Sequence, residues 1–159
     1  MKASRKSYCI ILTLLTVALT LVGCNRKTIY SHYEHTPIDG WENNDTLSFT
    51  VTPIRSDGTY SENVGLRISS MFPFTGLTLI VHQQVLPYGL MRSDTLHARL
   101  ISQDGIIQGQ GISHFQYDFH IADLHLKAND TLLVKIHHNM KRELLPGVSD
   151  VGITLTKKK

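Results

Sequence analysis

Hydrophobic and polar residues alternate with a period of two along most of the chain. Between Leu47 and Val51, every second residue is apolar and the residues between them are serine or threonine. This pattern predicts a strand with one buried face. Further alternating runs place apolar residues at Val64, Leu66, Ile68; Leu96, Ala98, Leu100; Phe115, Tyr117, Phe119, Ile121; Leu132, Val134, Ile136; and Val151, Ile153, Leu155.

Turn signals separate these runs, and no window shows a convincing helical period. The breaks fall at Pro53, 56–58, 72–76, 87–89, 103–105 and 128–130. A long aliphatic stretch covers 77–86, and we expect its strand to neighbour the strand at 64–68. Seven or more short strands without intervening helices predict an all-β fold, an antiparallel β-sandwich of Ig-like or jelly-roll-like type.

The N-terminus has the composition of a secretory signal. Lys2, Arg5 and Lys6 precede a stretch from Tyr8 to Val22 that contains no charged residue, as in the n-region and h-region of a signal peptide. A permanent transmembrane helix is the rival interpretation. The apolar run is shorter than the roughly 20 residues that span a bilayer core, which favours the signal.

The signal ends in a sequence that resembles the lipobox of bacterial lipoproteins, Leu21-Val22-Gly23-Cys24. The resemblance implies cleavage between Gly23 and Cys24 and acylation of the cysteine. Bacterial lipoproteins are similar in carrying three acyl chains such as palmitate, and several chains make anchoring stable. We therefore predict a signal peptide at 1–23, a lipidated N-terminus and tether at 24–45, and the sandwich domain at 46–159.

Charge and cysteine content exclude several other functions. The predicted signal holds three of the 16 basic residues and none of the 13 acidic ones, so the mature chain has no excess positive charge to favour nucleic acid. The terminal run Lys157-Lys158-Lys159 suits a solvated end better than a lipid contact. With Cys9 in the signal and Cys24 acylated, the mature domain has no free thiol.

Two short motifs resemble the GldH family of gliding-motility lipoproteins of Bacteroidetes. They are Asp39-Gly40-Trp41 near the mature start and, near the end, Leu145-Pro146-Gly147 followed by Asp150-Val151-Gly152. Thr154 stands where an arginine is expected. The resemblance covers nearly the whole mature chain, and it implies a non-enzymatic component of the gliding and associated secretion machinery, with envelope proteins as partners.

The chemistry of these motifs favours structural roles. We expect Trp41 to close one end of the core, Gly147 to adopt a positive φ, and Gly152 to permit close approach of a neighbouring backbone. Asp150 can accept hydrogen bonds from nearby backbone N–H groups. A ligand-binding role for Asp150 is the alternative.

No cofactor, metal or catalytic residue is predicted. His137 and His138 are adjacent, so a strand would direct them to opposite faces, and no nucleophile motif or closed metal motif occurs. A glycan- or small-ligand-binding sandwich with Trp41 and tyrosines as platforms is the alternative function. An envelope hydrolase is a third hypothesis that no feature selects.

Residues after the lipobox bear on location. Asn25 follows Cys24 where an aspartate would resemble an inner-membrane retention signal, and 25–27 is not the acidic run that resembles a surface-export signal. These features predict the periplasmic face of the outer membrane. Sheet edges and aromatic residues such as Phe74 and Tyr88 are the expected contact sites.

Overall fold

The computed structural model describes residues 28–51 and 53–158, which form strands and loops without a helix. Consequently, this part of the chain contains no helix that could cross a membrane. The predicted signal peptide and Cys24 lie outside the described residues. The strands are β1 Thr28–His35, β2 Trp41–Glu42, β3 Leu47–Val51, β4 Gly58–Ser69, β5 Gly76–Leu86, β6 Leu90–Arg99, β7 His114–Leu126, β8 Thr131–His138, β9 Leu144–Leu145 and β10 Val148–Lys157.

Eight of these strands form two antiparallel sheets of four. The first sheet has the order β1-β10-β4-β7 and the second has the order β3-β8-β5-β6, while β2 and β9 pair with each other. The chain crosses between the sheets repeatedly, and this strand order is that of a jelly roll. The structure therefore confirms the predicted antiparallel sandwich and selects the jelly-roll alternative.

The expected pairing of the strands at 64–68 and 77–86 is wrong. β4 pairs with β10 and β7, whereas β5 pairs with β6 and β8 in the other sheet. The connection at 70–75 contains Pro73 and carries the chain across the sandwich. Crossing places the apolar faces of β4 and β5 in the same core, which buries both.

The predicted tether at 24–45 also differs from the structure. From Thr28 to His35 the chain forms β1, an edge strand that pairs with β10. Backbone hydrogen bonds hold an edge strand without a regular apolar pattern, so the polar composition concealed it. Tyr30 packs against the core from this strand. The sandwich thus begins before residue 46.

The predicted apolar positions form the core between the sheets. Buried side chains include those of Val64, Leu66, Leu132, Val134 and Ile153. In β7 the buried face shifts, because a bulge opposite Glu62 and Asn63 offsets the pairing by one residue. Beyond this bulge the buried residues of β7 are Ala122, Leu124 and Leu126, so the simple alternation predicted only the first half of the strand.

A carboxylate lies in this core. Glu62 of β4 is fully buried and accepts a hydrogen bond from the Gln83 amide of β5, at 2.9 Å, across the two sheets. Gln83 also donates to Asp94 at 3.0 Å, and Asp94 binds the Arg92 guanidinium. Burial raises the pKa of Glu62 to about 7, against the lowering effect of the Gln83 hydrogen bond.

The raised pKa of Glu62 predicts a stability that falls between about pH 4.5 and 7. In this window the folded protein keeps the proton that the unfolded chain releases, so raising the pH favours unfolding, by about 3 kcal/mol across the window. The Glu62→Gln variant should lose this slope and exceed the parent in stability at pH 8. Urea unfolding at pH 5 and pH 8 measures both effects.

The exposed Glu143 offers a matched control. Glu143→Gln should leave the pH profile of the parent unchanged. An equal slope in Glu62→Gln and in the parent would show that another group causes the pH dependence.

Candidate functional site

The two sequence motifs meet at one end of the sandwich. Trp41 of β2 pairs with Leu145 of β9, and both side chains are fully buried. On the other side of this pairing, the Thr36 amide donates to the Ser149 carbonyl at 3.1 Å and the Thr36 hydroxyl donates to the Val148 carbonyl at 2.6 Å. The segments 36–42 and 144–149 therefore hold each other in place.

Trp41 closes this end of the core, as predicted. Its indole Nε1 donates to the Asp45 carbonyl at 3.0 Å, and its ring meets the His138 ring edge-on with centroids 5.2 Å apart. His138 Nε2 donates to the Trp41 carbonyl at 3.1 Å. Burial lowers the pKa of His138 despite this hydrogen bond. A buried neutral imidazole is thus part of the support for the tryptophan.

The turn at Gly147 anchors the second motif to the loop that follows β4. Gly147 has a φ of +83°, as predicted, and a Cβ added there would lie 2.7 Å from the Phe72 nitrogen. Its carbonyl accepts a hydrogen bond from the Ser69 amide at 2.8 Å. Pro146, which precedes this turn, is half-buried. Only glycine suits both the backbone angle and the close approach.

The remaining motif residues contribute to the same region. Asp39 is exposed in the turn before Trp41, whereas Gly40 is buried against Leu144. Val151 points into the core and is fully buried.

Asp150 and Gly152 lie on the outer face of the first sheet. Asp150 is almost fully buried, contacts His35 Nδ1, and lies 3.9 Å from the Arg67 guanidinium. These partners are side chains, whereas backbone N–H groups were expected. The contacts with His35 and Arg67 are sufficient to explain an aspartate at position 150 by a structural role.

Gly152 makes room for an aromatic ring. A Cβ at Gly152 would lie 2.6 Å from the Tyr33 ring, and a Cβ at Gly65 would overlap the Tyr33 hydroxyl. Tyr33 therefore lies across two strands, and the Arg67 guanidinium covers it at 4.3 Å from the ring centroid. Burial raises the pKa of Tyr33. The expected backbone approach exists as well, because the His32 carbonyl is also close to Gly152.

Loops 36–46, 70–75, 100–113 and 139–147 surround the motifs, and we call this region the motif end. It exposes large apolar side chains, of which Ile38 is completely exposed and Met71 is 77% exposed. Both line a groove of about 480 Å³ whose floor includes Gly147 and Val148. The Ser70 amide donates to the Ser113 carbonyl at 3.1 Å, which joins the loop of Met71 to the loop of the exposed Ile112.

The histidines are dispersed over the molecule. His138 is buried and His137 lies on the opposite face of β8, where it stacks on His82 at 5.4 Å. His120 and His125 bind the hydroxyls of Ser61 and Thr59. Among the described residues, no cluster of three or more histidine, cysteine or acidic side chains could hold a metal ion.

Sequence patterns missed the exposed part of this site. Single apolar residues in polar loops, such as Ile38 and Ile112, carry no periodic signal, and one exposed apolar residue by itself indicates no site. Tyr88 is exposed as expected, with 60% of its surface accessible. Phe74 is not, because it packs against Phe72 and the core.

Comparison with solved structures finds only distant similarity. A family GH115 4-O-methyl-α-glucuronidase, BtGH115A, with specificity for decorated arabinogalactans, matches 86% of this chain at 13% identity and a TM-score of 0.46, and the match spans 18% of that enzyme. A family 35 carbohydrate binding module from Clostridium thermocellum matches 79% of the chain and 98% of the module, at 12% identity and a TM-score of 0.43.

A third similar structure is the EclA C-terminal domain, a sugar-binding protein, which matches 87% of this chain and 81% of that domain at 13% identity and a TM-score of 0.36. At such TM-scores these similarities identify neither a shared function nor a shared ligand. A comparison with curated protein sequences finds no match.

A family profile gives a specific result. The profile of the GldH lipoprotein matches residues 28–155, which include both motifs, strands β1 to β9 and β10 as far as Leu155. Such lipoproteins are membrane-anchored proteins of the cell envelope. The match confirms the resemblance carried by the motifs, and this chain belongs to the GldH lipoprotein family.

Proposed function

We propose that this lipoprotein is a non-catalytic component of the gliding-motility and associated secretion machinery, and that it binds a protein partner of the envelope through the motif end. Family membership supports the cellular role. The observation that carries the binding role is the exposure of Ile38 and Met71 along a groove that also includes Gly147 of the second motif.

The composition of the groove suits a protein contact. Ile38 and Met71 supply apolar surface, and methionine adapts its shape to a partner. Thr36, Ser69 and Ser149 surround them with polar groups. An apolar centre with a polar rim is the usual anatomy of a protein interface.

The motifs shape this surface from below. Gly147 and Val148 form part of the groove itself, and the Ser69–Gly147 hydrogen bond fixes the loop that carries Met71. Trp41 and Leu145 are fully buried, so they cannot touch a partner. The buried motif residues thus support the loops that carry the exposed side chains.

The alternative of a glycan-binding sandwich loses its main platform in this structure. Trp41 is fully buried and Tyr33 is covered by Arg67. Neither ring presents a free face on which a sugar could stack. We therefore retain the protein-binding proposal.

The proposed location is the periplasmic face of the outer membrane. Asn25 after the lipobox cysteine supports this location, because an aspartate there would resemble an inner-membrane retention signal.

Introducing a charge at the motif end should abolish partner binding without unfolding the protein. Ile38→Asp and Met71→Asp place a carboxylate on side chains that are exposed in the isolated protein, so stability should change by less than about 0.5 kcal/mol. Burial of that charge in the complex is unfavourable. In-cell crosslinking followed by mass spectrometry should lose the captured partner, and spreading of gliding cells should stop.

Ile29 provides the matched control, since it is an exposed isoleucine at the opposite end of β1. Ile29→Asp should retain the crosslinked partner. If Ile38→Asp and Met71→Asp captured the same partner as the parent, with unchanged yield, the motif end would not be the docking surface.

Loss of the Asp150 carboxylate should destabilise the fold and leave docking intact at temperatures where the protein is folded. Asp150→Ala removes the partner of His35 and Arg67, which should cost about 1–3 kcal/mol. Asp118, which accepts a 2.8 Å hydrogen bond from Asn63 on the same face but is exposed, supplies the control. Asp118→Ala should melt close to the parent in thermal unfolding.

An Asp150→Ala protein that melted like the parent but captured no partner would contradict the structural role of Asp150. Its carboxylate would then be a contact residue.

A further inference from the structure

The first described residue lies at the end of the sandwich opposite the motifs. Thr28, the first described residue, pairs with Thr156 near the end of β10. Lys157 follows, and its ammonium group donates to Ser56 Oγ at 2.6 Å and to the Asp57 carbonyl at 2.9 Å. Loops 53–57, 86–90 and 127–130 complete this region, which we call the anchor end.

The predicted lipid attachment lies only four residues from this end. Cys24 precedes Thr28 by four positions, and four residues of extended chain span at most about 14 Å. Because Thr28 already belongs to β1, the connection from Cys24 to the sandwich is shorter than the predicted tether of 24–45. A lipid on Cys24 keeps the anchor end close to the bilayer surface, whatever path residues 25–27 take.

The anchor end exposes an apolar tip. Tyr88 and Leu90 are 60% and 67% exposed at the turn between β5 and β6, and the neighbouring Met91 is 76% exposed. The pairing of Leu86 with Thr131 places this turn beside the β7–β8 loop. An exposed aromatic residue next to aliphatic ones is the composition that settles in a membrane interface.

A lysine lies beside the tip, and a second lysine lies at the same end of the sandwich. The Lys127 ammonium lies 5.5 Å from the centroid of the Tyr88 ring, and Lys157 lies at the same end. The nearby carboxylates already have partners, since Asp57 accepts from the Ala128 amide and Asp123 binds Lys158. Lysines near a bilayer attract its anionic headgroups.

We infer that Tyr88, Leu90 and Met91 rest in the interface of the bilayer that holds the lipid anchor, with Lys127 against anionic headgroups. The inference relies on the lipid anchor of the proposed function. β1 leads away from this contact over eight residues, or roughly 25 Å of strand. The membrane contact therefore orients the sandwich so that the motif end points away from the bilayer.

Two methionines with almost identical exposure allow a direct test. Met91 is 76% exposed at the anchor end and Met71 is 77% exposed at the motif end. The mature lipidated protein, as Met91→Cys or Met71→Cys, is labelled with an environment-sensitive fluorophore and reconstituted into phosphatidylethanolamine–phosphatidylglycerol vesicles. Nitroxide lipids labelled near the headgroup should quench the fluorophore at 91 several-fold more than the one at 71.

A charge reversal tests the headgroup contact. Lys127→Glu, combined with the label at 91, should show reduced quenching in vesicles that contain phosphatidylglycerol and no reduction in vesicles of phosphatidylcholine alone. Unchanged quenching in both would overturn the role of Lys127.

Equal quenching at 91 and 71 in protein that floats with the vesicles would overturn the membrane contact but leave the anchor and the docking proposal intact. Protein that does not float would lack the anchor, which would overturn the inference together with the anchoring part of the proposed function. If the emission of the fluorophore at position 91 were blue-shifted without vesicles, the tip would be assigned to a protein contact. That result would also overturn the membrane contact.

Discussion

The pairing of two distant segments, 36–42 and 144–149, organises this molecule. Trp41 and Leu145 face each other across it, and both are inaccessible to solvent. Without the Trp41 indole, the end of the core would be open to water. The ring and its hydrogen bond to the Asp45 carbonyl therefore stabilise the surrounding core. Gly147 and Val148 belong to the paired segment 144–149 and also line the exposed groove, so the pairing supports the groove.

The buried motif residues differ in environment from the exposed residues in the loops around them. Trp41, Leu145 and Val151 are enclosed, and their type is explained by packing. Around them, Ile38 and Met71 expose apolar surface to water, which is unfavourable and contributes nothing to the stability of the isolated domain. A surface of this kind is more easily explained by a partner than by the fold, which is why the motif end carries the functional proposal.

The two ends of the sandwich then acquire different environments. In the proposed arrangement, a lipid on Cys24 keeps one end of the sandwich near a membrane, and the groove lies at the other end. The strands run between these two ends, so the sandwich holds the groove at a fixed distance and direction from the anchor end. The buried Glu62–Gln83 contact joins the two sheets in between, and the raised pKa of Glu62 predicts that their association depends on pH.

The sequence by itself determined the strands at Leu47–Val51, at Thr131–His138 and at the C-terminus, because a buried face on a pleated strand requires alternation. It also determined the positive φ at Gly147 and the burial of Trp41, which depend on local chemistry and size. Only the tertiary structure decided that β4 and β5 lie in different sheets, since alternation does not specify a strand's partner. The same holds for β1, whose pairing uses backbone groups that every sequence has, and for the groove, whose exposed residues come from loops far apart in the chain.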